Sequence, residues 1–331
     1  MPFSPRAVAL TLALAASLAP AAARANCRTT TCDPSAGECT KAGAPGCYTG
    51  GKPLFWPSRC VGFSAQVDAV PGITLDTFRQ TAAAAFGTWQ SVTCSGSGVS
   101  ISFADNGDVT CKQVEFDQDK KNAHILMFRT DSWPYTSSVD TIALTTVTFD
   151  RDTGEILDVD MEMNAFQNAF TVGDANVNVD LQSIITHEAG HFIGFSHSLV
   201  PTATMYPAYS KGTTSLRKLD ADDVAIACEA YPPARTAQCT SAPYGGFSPE
   251  CLSAQTTSTG GSGGSSGDPF GQLGGMGGHV SVSAAGASGN GSSSGCNCHV
   301  SGGSPPREAL SLALLGVVAM VARRRRRTDG R

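Results

Sequence analysis

The sequence predicts an α+β fold: a twisted mixed sheet with two principal helices around a cleft, flanked by ends that have little capacity to fold. Three observations point there. Apolar residues recur at helical spacing in residues 76–92, 181–195 and 220–231. Strand-like stretches fill the region between the first two. Beyond residue 255 the 331-residue chain becomes Gly/Ser-rich and loses all periodicity.

The elements come in order along the chain. Residues 55–67 read as an edge or half-buried strand. In residues 76–92 an alanine run favours helix, Asp76 is placed to cap it, and Phe78, Ala82, Ala85, Phe86 and Trp89 form a core-facing stripe. Strands are expected at 99–103 and 124–128, then a hairpin of 141–149 and 155–163, reversed by Asp150-Arg151-Asp152-Thr153-Gly154. Asp180 offers an N-cap for a helix running to about residue 195, and Asp220 one for a last helix that stops before Pro232-Pro233.

The ends carry different information. Residues 1–25 combine Arg6, an apolar run and Ala23-Arg24-Ala25, the pattern of a cleaved export signal. Ten of the twelve cysteines lie between Cys27 and Cys251 without a Cys-x-x-Cys pair, so they read as disulfide staples of an exported protein rather than a zinc cluster. Cys94 and Cys111, flanking residues 99–103, are candidates to bridge each other, and Cys239 and Cys251 to tie down the exit of the domain. Residues 26–47 are too few for a core of their own and are placed to cap the main domain. The division is therefore 1–25 signal, 26–47 Cys-rich segment, 48–254 main domain, 255–304 flexible linker and 305–331 C-terminal segment. A net charge of −5 with no aromatic-interleaved basic patch gives no indication of nucleic acid as a partner.

The chemistry concentrates in His187-Glu188-Ala189-Gly190-His191-Phe192-Ile193-Gly194-Phe195-Ser196-His197, which holds three of the six histidines. Four residues apart on a helix, His187 and His191 face one ion. Gly194 can turn the chain left-handed so that His197 arrives as the third ligand. Three neutral imidazoles at about 2.0–2.1 Å leave a tetrahedral position open for water, the arrangement of a catalytic zinc. Glu188, beside the first ligand, is the candidate general base that takes the proton of that water.

By this motif, by Ser198 after the third histidine and by Met205-Tyr206-Pro207, the sequence resembles the metzincin metalloproteases and within them the matrixin-like group. The resemblance implies a metzincin-like domain with an active-site helix and a C-terminal helix, one catalytic Zn2+, hydrolysis of peptide bonds in a protein or peptide substrate, Met205 supporting the site from below, and Pro207 and Tyr209 in the wall of a substrate pocket. It extends more weakly to residues 85–89 and 219–231. Ser58-Arg59-Cys60-Val61-Gly62 differs from the family's latency motif, so inhibition by a cysteine thiolate is not expected, and His124 as the single spare histidine in the domain gives no basis for a second zinc.

Asp150, Asp152, Asp158 and Asp160 are oxygen donors of the kind Ca2+ takes, with ordinary turn and surface acids as the preferred reading. At the far end, Cys296-Asn297-Cys298, an apolar run at 309–322 and five arginines at 323–327 resemble the C-terminal sorting tag of myxobacterial surface proteins. That resemblance implies a processing or sorting machinery as partner, membrane association through the tail, and an exported protein at the cell surface or outside it. The competing readings are a narrow-specificity processing peptidase and a surface adhesin that keeps zinc without catalysis; the intact Glu188 speaks against the latter.

Overall fold

The computed structural model describes residues 26–37, 39–68, 70–135 and 141–250, together with two strands further on. Strand β1 (Cys60–Gln66) leads into helix α1 (Leu75–Gln90), followed by β2 (Ser102–Val109), β3 (Ile125–Arg129), β4 (Thr141–Asp150) and β5 (Ile156–Asn164). Helix α2 (Leu181–Phe192), the two-residue strand β6 (Ala208–Tyr209) and helix α3 (Ala221–Ala230) complete the domain, and the late strands are β7 (Gly277–Ser281) and β8 (Cys296–Val300). The sheet runs β2-β1-β3-β5-β4-β8-β6, with β7 also on β4. It is mixed: β1 is parallel to β2 and β3, β3 to β5, whereas β4 and β5 form an antiparallel hairpin.

That hairpin turns where the sequence predicts. The Asp150 Oδ1 accepts from the amides of Asp152 and Thr153, both at 2.8 Å, and Gly154 closes the turn at φ +84° against the Pro53 carbonyl. Helix α1 buries Phe78, Ala82, Ala85, Phe86 and Trp89 as expected, but its cap is Thr74, whose side chain accepts from the Thr77 amide. Asp76 instead lies inside the first turn, where its charge suits the helix dipole and it accepts from Gln80 Nε2. Strand β2 lies further along than 99–103, because its second half is polar and sits at the sheet edge, where Arg79 pairs with Asp105 and Asp108.

Cys94 pairs with Cys228 rather than Cys111, joining the chain just after α1 to helix α3 across 134 residues. Cys111, at the far end of β2, is disulfide-bonded elsewhere. Cys60–Cys239 closes a loop of 179 residues, a constraint worth about 5 kcal/mol in the loop-entropy picture. Cys27–Cys47 and Cys32–Cys39 staple the N-terminal segment, and Cys251 lies outside the described residues.

Strand β5 is buried on both faces. Val159, Met161 and Met163 enter the main apolar core with α1 and α2. Asp158, Asp160, Glu162 and Asn164 occupy the other face and are at most 2% exposed, which corrects the reading of Asp158 and Asp160 as surface acids. Backbone donors account for Asp160, which accepts from the amides of Ile125 at 2.9 Å and Glu115 at 3.0 Å. Asp150 and Asp152 stay in the exposed turn, so the four are not gathered around one point.

Among the described residues no helix is long and apolar enough to cross a membrane. The export signal at 1–25, the linker apart from β7 and β8, and the apolar run and arginines of 305–331 lie outside the described residues.

Candidate metal centre

Helix α2 is held at both ends before it presents anything. At its start the Asp180 side chain accepts from the Ser183 amide at 2.8 Å and receives the guanidinium of Arg217. At its end the chain departs earlier than residue 195: Phe195 N donates to Gly190 O (3.0 Å) and Gly194 N to His191 O (2.9 Å), the paired bonds of a Schellman turn. Gly194 sits at φ +87°, and a Cβ there would come within 2.7 Å of the Leu54 carbonyl oxygen. The remaining end carbonyls go to side chains: Trp56 Nε1 donates to Phe192 O and the Tyr231 hydroxyl to Ile193 O.

This turn sends residues 195–197 back toward the helix and brings His187, His191 and His197 together. Their candidate ligand atoms all lie within 4.8 Å of one another, all three residues are buried, and among the described residues this is the single group of three or more His, Cys, Asp or Glu so placed. Each Nδ1 faces a backbone carbonyl: His187 that of Thr204 (2.6 Å), His191 that of Phe195 (2.7 Å), His197 that of Pro45 (2.8 Å). A carbonyl only accepts, so each Nδ1 carries the proton and each Nε2 a lone pair. The Nε2 atoms of His187 and His191 are 3.2 Å apart, and two acceptors at that distance bind each other only through a shared cation. Burial first, then the neighbouring imidazoles, pulls His187 down to about 3 and His191 well below its ordinary value, so both stay neutral. The donor set fits zinc.

Glu188, next to the first of the three histidines, is fully buried. Its Oε2 accepts from the Thr145 hydroxyl of β4 at 2.6 Å, while Oε1 has no protein partner. Burial pushes its pKa up to about 8, against the lowering effect of the Thr145 bond. Met205 lies directly under the helix: a Cβ on Gly190 would run into its sulfur and lie 2.9 Å from Trp89 Cζ2. Pro207 immediately precedes β6, and Tyr209 within β6 is buried, its hydroxyl donating to Thr213 O (2.6 Å) and accepting from the Asp180 amide (3.0 Å).

Three contributors carry no motif. Thr145 is one threonine in a strand rich in them. Asp223 accepts from the amides of Thr204 (2.7 Å) and Met205 (3.1 Å), fixing the peptide whose carbonyl receives His187; its capping-box spacing from Asp220 marks the helix start but not this second duty. Pro45 sits 152 residues before the ligand it orients.

The matrixin family model matches residues 56–232, more than half of the chain. The chain is 43% identical over 61 residues to metalloendoproteinase 1-MMP of Arabidopsis thaliana (18% of this chain, 16% of that one). To metalloendoproteinase 4-MMP of the same plant it is 27% identical over 192 residues (54% and 49%). To human matrilysin it is 38% identical over 50 residues (15% and 19%). The chain therefore spans half the length or less of each of these relatives.

Proposed function

The chain belongs to the matrixin family, and from that premise we propose that it is a zinc-dependent endopeptidase in which His187, His191 and His197 hold the ion and Glu188 is the general base. The observation that carries this reading is the convergence of three Nδ1-protonated imidazoles beside a buried carboxylate that keeps one oxygen free. Zinc, when bound, acts as a Lewis acid that polarises a peptide carbonyl and acidifies a neighbouring water.

Glu188 does the proton work. With Oε2 held by Thr145, the carboxylate has a fixed orientation, and Oε1 is the atom that accepts the proton as water attacks and later returns it to the leaving amine. The buried setting makes the carboxylate a stronger base than one in water, while a divalent cation close by acts in the opposite direction. Met205, Trp89 and Asp223 keep the helix and the turn beneath it in place.

The substrate is a polypeptide bound as an added strand. Strand β8 of this chain lies antiparallel to β4 and parallel to β6, so the space between those two strands takes one extended chain. Cys296 pairs with Thr145, whose hydroxyl bonds Glu188, so an extended peptide along β4 passes the base. Pro207 and Tyr209, at β6, form the opposite wall. Export through residues 1–25, display or release at the cell surface through residues 305–331, and handling by a C-terminal sorting machinery complete the proposal; the disulfides support an oxidising compartment.

The test is zinc content and cleavage of a denatured protein by the full chain and by Glu188→Gln. The variant should keep one zinc and lose about 10²- to 10⁴-fold in cleavage rate. Equal rates would sink the assignment of the base, and zinc bound by a wild type that cleaves nothing would favour the adhesin.

A further inference from the structure

We propose that the loop closed by the Cys27–Cys47 disulfide is a positioning element for His197, and that tight retention of zinc requires this loop to be covalently closed. The inference rests on the zinc site proposed above and concerns a part of the chain that lies before the matched family region of 56–232.

The three histidines are not oriented alike. His187 and His191 stand on α2, and their carbonyl partners, Thr204 and Phe195, come from the helix's own continuation. His197 stands beyond the helix, past the left-handed Gly194, and its Nδ1 partner is the Pro45 carbonyl, 152 residues away. The ring orientation of the third ligand is therefore set by a different segment of the chain.

That segment grips residues 194–197 from both sides. On one side the Thr29 amide donates to Gly194 O (3.0 Å) and the Ser196 amide to Cys27 O (2.8 Å). On the other, Pro45 O receives His197 and Gly46 O receives the Ser196 hydroxyl at 3.0 Å. Cys27 makes one of these contacts and Cys47 follows Gly46, and their disulfide joins the two sides. The loop between has no core: its buried apolar cluster is Cys27, Ala44 and Cys47. Its backbone bonds are short-range, among them Ala42 N to Cys47 O and Cys47 N to Ala44 O, continued by the pairing of Thr40 and Lys41 with Thr49 and Tyr48. With the disulfide open, the two-residue hairpin of Thr40–Lys41 with Tyr48–Thr49 and the two contacts themselves are left to keep Pro45 and Gly46 against Ser196 and His197, and the entropy of ordering the loop opposes them.

The first side has independent support. Residues 29–31 pair with the chain around Leu54 and Lys52 through backbone bonds of 2.8 and 2.9 Å, so the Pro45 side is the one that opening the disulfide is expected to loosen. Cys32–Cys39 lies in the same N-terminal segment but does not bracket residues 195–197, which makes it the matched control.

The experiment measures zinc release from the full chain into excess chelator, and the visible spectrum after cobalt(II) replacement, for wild type, Cys27→Ser/Cys47→Ser and Cys32→Ser/Cys39→Ser, with thermal unfolding of each. Opening Cys27–Cys47 should speed release about 10- to 100-fold, the usual cost of losing a group that orients a metal ligand, and should alter the cobalt bands. Opening Cys32–Cys39 should do neither. A folded Cys27→Ser/Cys47→Ser protein releasing zinc at the wild-type rate overturns the proposal, as does equal acceleration in both variants. Where that double variant does not fold, Ser196→Ala decides, since it keeps the disulfide and removes one anchor: about three-fold faster release is expected, and the wild-type rate overturns the proposal. A wild type that binds no zinc overturns the metal site itself, whereas zinc-binding wild type with unaffected variants overturns the role of this loop alone.

Discussion

Among the described residues two clusters of buried polar side chains stand out, and they end in different conditions. On β5, Glu162 is enclosed by Arg129 and the Tyr135 hydroxyl, Asp160 by two backbone amides, and Asn164 donates to Thr141 O and Gln167 Oε1. Around α2, the backbone takes up the protons of His187, His191 and His197 and leaves their other nitrogens facing one another. Buried polarity is thus no mark of a site by itself. What distinguishes the histidine cluster is that its internal hydrogen bonds leave lone pairs converging on one point, whereas those of Asp160, Glu162 and Asn164 satisfy one another's neighbours and leave Asp158 Oδ1 facing His124 Nε2 at 3.8 Å.

The sharpest way to break this contrast is His191→Ala, which should abolish zinc binding and proteolysis together while the metal-free protein still folds; metal analysis beside circular dichroism checks it, and retained zinc would refute the assignment of the ligands. Next, Glu162→Ala should leave zinc content unchanged but cost about 3 kcal/mol of stability, because Arg129, only 24% exposed, loses its partner. Denaturant unfolding reads this, and loss of zinc from that variant would mean the two clusters are not separate.

A smaller effect belongs to His124. Burial lowers it from 6.5 to about 4 beside Asp158, whose carboxyl lies 3.8 Å away and is itself pushed well up by burial and by Asp160 and Glu115. With the folded pKa below the unfolded one, the unfolded chain binds the proton first, so stability falls as pH drops from about 6.5 toward 4. Over pH 7.5 to 5 this amounts to about 2 kcal/mol. In His124→Gln the pH dependence of unfolding should be shallower by that amount, and an unchanged slope would show that His124 does not titrate with folding. Least of all, Thr145→Val should retain zinc and slow cleavage about ten-fold, since Glu188 keeps its place on α2 but loses the hydroxyl that orients it. A rate equal to wild type would remove Thr145 from the site.

The histidine cluster is readable in the sequence and the other is hidden, for a physical reason. Histidines on one helix and its turn are local: four-residue spacing, Gly194 and the Asp180 cap put His187, His191 and His197 within a single stretch, and the structure brings them together. The β5 acids alternate with apolar residues in the way a half-exposed strand would, and nothing in the alternation says that a second layer covers the polar face. Long-range partners are equally silent. Cys94 reaches Cys228 rather than the nearer Cys111, Thr145 reaches Glu188 and Pro45 reaches His197, each across more than 40 residues. Asp76 is displaced as the cap because two candidates stand two residues apart and only backbone geometry chooses Thr74.

The Cys60–Cys239 bridge has a consequence for durability among proteases. Its loop encloses all three helices and every strand from β2 to β6. A single cut in any exposed turn within that loop leaves the two pieces as one molecule, joined at residues 60 and 239 and again, for cuts between them, at 94 and 228. A chain nicked there still holds its halves in register.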